Sequence, residues 1–157
     1  MSTSVEAVVV DPGSDDHVEA AWELKERIRE SEGVLRQRRG FFVDAYRRST
    51  VFCYLDRTET TPVVGFAVVR RDGYVLFLAV APDYRGHGFG RRLIARVADE
   101  NGEVNCHVRA TNRSALGFYE AVGFEIERRI DSYYEDGGDA YYLQLRDDGL
   151  AGRFSIF

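Results

Sequence analysis

A strand-like stretch passes into a helix-like stretch through a glycine-rich junction, and this junction limits the folds open to the chain. Residues 74–81 are rich in Val, Leu, Phe and Tyr, as strands are, while residues 88–100 have the spacing of an amphipathic helix. The junction contains Gly86, Gly88 and Gly90. Glycines at the start of a helix let backbone N–H groups approach an anion, which the positive end of the helix dipole also favours. We therefore expect a strand-helix unit with an anion site at this junction.

The other segments alternate between strand and helix patterns. Six further strands are predicted over residues 5–10, 50–55, 62–69, 103–108, 124–134 and 139–145. Three further helices are predicted: one that begins after a Ser14 cap, one over residues 35–48 and one over residues 113–122. This order predicts an α/β (α+β) fold with a mixed, mostly antiparallel central sheet of about seven strands and helices on both faces. No linker or repeat interrupts residues 1–157, so a single domain is expected, with an apolar tail over residues 148–157.

The composition argues against several classes of function. The 157 residues include 26 acidic and 21 basic side chains, and the net charge of -5 disfavours nucleic-acid binding. No apolar run reaches the length of about 18 residues that a membrane span needs, and the N-terminal residues are acidic where a signal peptide would be basic. A cytoplasmic protein without membrane contact is expected. Cys53 and Cys106 are isolated in sequence, which disfavours both a disulfide framework and a metal site.

Two common phosphate-binding motifs do not fit the glycine-rich junction. It lacks the third glycine of G-x-G-x-x-G, and no Gly-Lys-Ser/Thr follows it. The signature R/Q-x-x-G-x-G/A does fit, through Arg85, Gly88 and Gly90. With these residues the chain resembles the GNAT superfamily of acetyl-CoA-dependent N-acetyltransferases, over about residues 50–145.

A second resemblance lies in the C-terminal half. It contains V-R-x-x-N, then Y-x-x-x-G-F, then a pair of tyrosines and Asp-Ala. In this order the motifs resemble the N-terminal-amine acetyltransferases, in particular the ribosomal-protein alanine enzymes and their archaeal relatives. The resemblance implies direct transfer of an acetyl group from acetyl-CoA, in a ternary complex and without a metal, to a primary amine. The expected acceptor is a protein N-terminal α-amine.

The resemblance also implies which residues bind acetyl-CoA. The backbone of Leu78, Ala79 and Val80 is expected to pair with the pantetheine arm like an added strand, and Asn112 is expected to bond the same arm. The pyrophosphate is expected to lie in the loop formed by Arg85, Gly86, His87, Gly88, Phe89, Gly90 and Arg91.

Two side chains and one backbone group are expected to carry the chemistry. Tyr119 takes the place of the family tyrosine that protonates the coenzyme A sulfur, and the N–H of Val80 is expected to stabilise the oxyanion. The ribosomal-protein alanine enzymes have a glutamate as general base two residues before the arginine of V-R-x-x-N. This chain has His107 there, and a neutral imidazole can accept a proton directly or through a water.

The acceptor is the least defined part of this hypothesis. Tyr133 and Tyr134 are expected in the loop between the last two strands, which in the resembling enzymes lines the peptide entrance beside the loop between the first two helices. Two alternatives remain open: a GNAT enzyme that acetylates a small-molecule amine or a lysine, and a non-catalytic acetyl-CoA-binding regulatory module. The sequence also leaves open whether the chain forms a homodimer.

Overall fold

The computed structural model describes residues 5–145, and these confirm the predicted fold class. They form seven strands, four α-helices and one short 3-10 turn, and every ladder between strands is antiparallel. The elements in chain order are β1 (Val5–Val10), α1 (Val18–Glu32), α2 (Arg39–Arg48), β2 (Thr50–Asp56), β3 (Val63–Val69), β4 (Val75–Val80), the turn Pro82–Tyr84, α3 (Phe89–Asn101), β5 (Val104–Arg109), α4 (Arg113–Val122), β6 (Glu125–Ile130) and β7 (Ala140–Leu145). The predicted apolar tail over residues 148–157 lies outside the described residues.

Two compact units make up the described chain. The first contains the residues up to Arg71 together with Val75–Arg96, and the second contains Asp72–Tyr74 together with the residues from Val97 onward. Each unit has its own sheet: the first has strand order β1-β2-β3-β4, and the second has strand order β5-β7-β6.

The first sheet is covered on both faces. On one face, Phe42 of α2 contacts Phe66 of β3 and Phe77 of β4, with ring centroids 5.9 and 5.0 Å apart. On the other face, α3 packs on β3: Leu93 of α3 is fully buried, and a Cβ at Gly65 would lie in ordinary contact with its methyl carbon, at 3.6 Å. Strands β2 and β3 are almost wholly buried, which explains their nearly continuous apolar sequences.

The second sheet is covered less completely. Strand β7 lies in its centre, and β6 at its edge is exposed along nearly its whole length, in keeping with its polar sequence. Tyr74 forms an isolated parallel bridge with Asn105, and the N–H of Asn105 donates to the carbonyl of Gly73 at 3.1 Å. The turn before Tyr74 needs glycine, because Gly73 has φ +81° and a Cβ there would collide with the carbonyl of Glu103.

Two predicted helix starts are wrong, and in both cases a residue with left-handed backbone explains the error. Helix α1 begins at Val18 rather than after Ser14, because His17 has φ +66° and the Ser14 hydroxyl accepts the N–H of Asp16 instead. Helix α2 begins at Arg39 rather than at residue 35, because Leu35 has φ +57°. Within residues 5–145, no helix is long and apolar enough to span a bilayer.

Candidate active site

Strand β4 presents backbone groups on the side that faces away from β3. The N–H of Ala81 donates to the carbonyl of Val64 on the β3 side at 2.8 Å. Because adjacent residues of a strand point their backbone groups in opposite directions, the N–H and carbonyl of Val80 face away from β3, as do those of Leu78. Ala79 pairs with Phe66 in the ladder. Leu78 and Val80 can therefore offer hydrogen bonds to an extended ligand, while the backbone of Ala79 is held by β3.

The glycine-rich loop follows directly from this strand. Gly86 and Gly88 have φ +82° and +85°, a left-handed backbone that few other residues adopt, and nothing lies within 4 Å of a Cβ added to either. The loop is exposed, but Phe89 at the start of α3 is buried against Tyr54, with ring centroids 5.1 Å apart. The first N–H groups of a helix have no partner inside the helix. The loop and helix start therefore present backbone N–H groups to which an anion can bind.

Two arginine side chains of this loop contact protein groups. The Nε of Arg85 donates to the Val80 carbonyl at 3.0 Å, and its Nη1 donates to Oε2 of Glu32 at 2.7 Å. The guanidinium of Arg92 lies over the Phe89 ring and donates to the His87 carbonyl at 3.3 Å. Both side chains are thus held against the protein, and Glu32 offsets part of the positive charge of Arg85.

A cavity of about 660 Å³ beside the loop is acidic. Its lining includes three carboxylates, those of Asp56, Glu59 and Asp83, against one guanidinium, that of Arg92. The Tyr84 hydroxyl lies 2.6 Å from Oδ2 of Asp56. Carboxylates repel phosphate groups, so this cavity is a poor place for the pyrophosphate. The exposed backbone of the glycine-rich loop fits an anion better.

In the second unit, His107 lies within a group of tyrosines. Its Nδ1 is 2.6 Å from the hydroxyl of Tyr74, and its ring is stacked on that of Tyr133 at 4.4 Å with an angle of 10° between planes. Tyr142, its partner across the β5–β7 ladder, lies 5.0 Å away. The sequence analysis did not identify Tyr74. The only signal was a tyrosine directly after the Arg-Asp-Gly turn, and nothing in that spacing connects it with His107.

Tyr119 is nearly inaccessible, with 7% of its surface exposed. Burial is the main cause that raises its pKa well above the ordinary value of a phenol, and the adjacent Cys106 thiol, to which the hydroxyl is hydrogen-bonded, adds to this. The ring packs edge-on against Phe124 at 4.9 Å. Helix α4, which carries Tyr119, is capped by Asn112, whose Oδ1 accepts the N–H of Ala115 at 3.1 Å. The cap explains why an asparagine suits this position, in addition to any contact with a ligand.

The tyrosine pair lies in the loop between β6 and β7, as expected. Tyr133 is 44% exposed, and its ring meets that of Tyr134 at 90° and 5.0 Å. The guanidinium of Arg109 lies 4.0 Å from the centre of the Tyr134 ring and pairs with Asp136 at 3.1 Å. The loop is therefore ordered by contacts with β5, and it leaves one aromatic ring accessible. No group of three or more His, Cys, Asp or Glu side chains in residues 5–145 is placed to hold a metal ion.

Comparison with known proteins decides the family. The family model for the acetyltransferase (GNAT) domain matches residues 47–126, slightly more than half of the chain. The chain belongs to the GNAT acetyltransferase family. The resemblance inferred from Arg85, Gly88 and Gly90 is thereby confirmed.

Several N-terminal acetyltransferases are similar in sequence to this GNAT chain. N-alpha-acetyltransferase RimI of Mycobacterium tuberculosis is 37% identical over 105 residues, which cover 61% of this chain and 66% of that protein. N-alpha-acetyltransferase 30 of Saccharomyces cerevisiae is 37% identical over 82 residues, covering 49% of this chain and 47% of the yeast protein. The human protein of the same name is 40% identical over 80 residues, covering 48% and 22%. The chain thus spans about half or less of the length of the yeast and human relatives.

Solved structures show the same fold. The ribosomal-protein-S18-alanine N-acetyltransferase of Escherichia coli superposes with a TM-score of 0.68 at 24% identity, covering 89% of this chain and 93% of that one. Ard1 of Thermoplasma volcanium gives a TM-score of 0.70 at 22% identity, covering 91% and 97%.

The GNAT chain brings its predicted site residues together in three groups. Leu78 and Val80 share one side of β4, and the residues from Arg85 to Arg91 form the glycine-rich loop and the first turn of α3 in the same unit. His107 and Tyr133 are in contact in the second unit, where Tyr74 joins them.

Proposed function

We propose that this chain transfers the acetyl group of acetyl-CoA to a protein N-terminal α-amine. The observation that carries the proposal is the hydrogen bond between His107 and Tyr74 beside the accessible ring of Tyr133, because it combines a proton acceptor with an aromatic wall. The names of the relatives support it, as do two solved structures of similar fold. One is Arabidopsis thaliana NAA60 in complex with acetyl-CoA, and the other is Arabidopsis thaliana Naa50 with the bisubstrate analogue CoA-Ac-MVNAL.

Acetyl-CoA is the donor in this proposal. The side of β4 that carries Leu78 and Val80 would pair with the pantetheine arm, and the glycine-rich loop would hold the pyrophosphate through backbone N–H groups. Asn112 would contribute its amide to the same arm. The N–H of Val80 would stabilise the negative charge that develops on the thioester oxygen. Its position is fixed because the neighbouring residues, Ala79 and Ala81, pair with β3.

Proton transfer is assigned to two side chains. Burial raises the pKa of Tyr74 and keeps its hydroxyl neutral, and in the tautomer we propose for His107 the oxygen of this hydroxyl accepts the N–H of Nδ1. This tautomer makes Nε2 of His107 the nitrogen that accepts the proton of the attacking amine, directly or through a water. Tyr119, whose raised pKa keeps it protonated, would donate to the departing thiolate of coenzyme A.

The reference pKa values of amines favour the α-amine as acceptor. An N-terminal α-amine has a pKa of about 7.7 to 8.0 and is partly neutral at pH 7. A lysine side chain, at about 10.4, costs about 3 to 4 kcal/mol more to deprotonate. A weak base such as an imidazole therefore suits the α-amine better.

A small-molecule amine is the second candidate acceptor. It is favoured by the similarity to nourseothricin acetyltransferase, which is 29% identical with a TM-score of 0.53 and covers 62% of this chain.

The cytoplasmic location, the single domain and the absence of a membrane partner stay predictions from the sequence.

A panel of amines tests the proposal. Release of coenzyme A would be measured with acetyl-CoA and one of four acceptors: peptides with a free N-terminus, N-terminally blocked lysine peptides, polyamines or nourseothricin. We expect turnover with the free N-termini alone. Turnover restricted to polyamines or nourseothricin would establish the second candidate, and acetyl-CoA binding without turnover would indicate a regulatory module.

A further inference from the structure

Glu32, the last residue of α1, carries a negative charge at an unfavourable end of the helix and pairs with Arg85 of the glycine-rich loop. Glu32 stands at the C-terminal end of the helix, followed by Gly33 with φ +73°. A carboxylate at this end is disfavoured, because the helix dipole places partial negative charge there. This carboxylate pairs with the Arg85 guanidinium at 2.7 Å. The pair therefore links the end of α1 to the loop that follows β4.

The same guanidinium also contacts the end of β4. The Nε of Arg85 donates to the carbonyl of Val80 at 3.0 Å, on the side of the strand that faces away from β3. Glu32, Arg85 and Val80 thus form a continuous chain of polar contacts. It joins α1 to the residue whose N–H is proposed to stabilise the oxyanion.

Residues 33–38, which connect α1 to α2, are held at both ends. At the first end is the contact between Glu32 and Arg85. At the other end, the buried ammonium of Lys25 donates to the carbonyl of Gln37. Between them Leu35 has φ +57°, a conformation that costs free energy for a bulky residue and persists only when its surroundings hold it. Loss of either anchor should therefore let this segment relax.

We propose that Glu32 is a positioning residue that couples acceptor binding to acetyl-CoA binding. The inference rests on the proposed function, with the pyrophosphate beside Arg85 and the peptide entrance beside the loop between α1 and α2 (residues 33–38), as the sequence resemblance implies. The guanidinium of Arg85 has enough N–H donors to hold Glu32 and a phosphate together, but the carboxylate of Glu32 offsets part of its positive charge and repels the same phosphates. Glu32 therefore weakens acetyl-CoA binding. In return, its contact with Arg85 holds the acceptor segment in its strained shape.

The variant Glu32→Gln tests this coupling, and Glu30→Gln is the matched control. Both changes remove one negative charge from the last turn of α1. Glu30 is 71% exposed and makes a long ion pair with Arg29, at 3.8 Å. We expect Glu32→Gln to bind acetyl-CoA about two- to fivefold more tightly by calorimetry, the range of an exposed ion pair, and this gain to shrink at high salt. The KM for the acceptor peptide should rise by a similar factor, and the control should change neither quantity.

Tighter acetyl-CoA binding together with a higher KM for the acceptor distinguishes coupling from a merely structural role. A structural defect would weaken acetyl-CoA binding and acceptor binding together. Unchanged or weaker acetyl-CoA binding in Glu32→Gln, or an equal effect in Glu30→Gln, would overturn the proposal. Calorimetry on the unchanged chain separates this failure from the failure of the proposed function. If that chain does not bind acetyl-CoA, the function itself is wrong. If it binds and the variant matches it, only the role of Glu32 is wrong.

Discussion

The glycine-rich loop of the first unit and the histidine–tyrosine group of the second unit are built in different ways. The loop is a backbone site: its shape depends on Gly86 and Gly88 with left-handed φ, and its donors are N–H groups. The second group is a side-chain site, in which His107, Tyr74 and Tyr133 meet through ring stacking and one hydrogen bond. Changes in the loop should therefore alter affinity for acetyl-CoA, whereas changes in the second group should alter turnover.

The largest expected effect is on turnover, at Tyr119, a side chain of the second unit that lies outside the histidine–tyrosine group. Tyr119→Phe removes only a hydroxyl from a buried ring, so the packing on Phe124 should persist. Turnover should fall by about 10 to 10,000-fold, the range for loss of a general acid, with little change in the acetyl-CoA dissociation constant. Steady-state kinetics and calorimetry measure the two quantities. Full turnover in this variant would assign Tyr119 to the core alone.

A smaller loss is expected at His107, because the acceptor amine is already partly neutral. His107→Ala should reduce turnover by about 100-fold and remove the acidic limb of the pH–rate profile. His107→Glu should retain activity with that limb at lower pH, because a carboxylate holds its charge to lower pH than an imidazole does.

Tyr74→Phe tests whether the hydrogen bond to Nδ1 of His107 contributes to turnover. It removes the partner of Nδ1, so turnover should fall while acetyl-CoA affinity is kept. An acidic limb that stays in place in His107→Ala would show that bulk water accepts the proton and that His107 only fills the strand.

Gly88→Val tests whether the backbone of the glycine-rich loop binds acetyl-CoA. A β-branched residue is strained at φ +85° and brings a side chain to the surface where the pyrophosphate is proposed to lie. Affinity for acetyl-CoA should fall by about tenfold or more, while turnover at saturating acetyl-CoA is largely retained.

Gly13→Val is the matched control for strain. Gly13 has φ +95° and also nothing within 4 Å of an added Cβ, but it lies outside the proposed site. Its variant should lose stability to a similar degree and keep acetyl-CoA affinity. Equal affinity losses in the two variants would show that strain, and not the anion site, is responsible.

The smallest expected effect is the absence of a change at high pH. Burial raises the pKa of Tyr119, so its neutral form, the one able to donate a proton, persists above the ordinary range of a phenol. Turnover with saturating substrates should therefore not decline through deprotonation of this group up to about pH 10, the reference value of tyrosine. A turnover profile recorded from pH 7 to 10 checks this. A decline centred below pH 10 that disappears in Tyr119→Phe would contradict the assignment.

The glycine-rich loop and the histidine–tyrosine group also differ in how far the sequence could predict them. The loop was identified because only glycine suits its backbone, so the residue types themselves carry the signal. The contact of Tyr74 with His107 was missed, because it depends on a turn and an isolated bridge to Asn105 rather than on spacing. Leu35 and His17 shifted two helix starts, since nothing in the sequence marks a left-handed bulky residue. The attachment of Arg85 to Glu32 joins residues 53 positions apart and has no sequence signal at all.

The central claim is that the acetyl group goes to an N-terminal α-amine. It is tested most directly by incubating the protein and acetyl-CoA with one peptide that carries both a free N-terminus and an internal lysine. Tandem mass spectrometry then locates the added acetyl group. We expect acetylation at the α-amine and none at the lysine, and no product from the same peptide with a blocked N-terminus. Acetylation at the lysine, with the free N-terminus left unmodified, would contradict it.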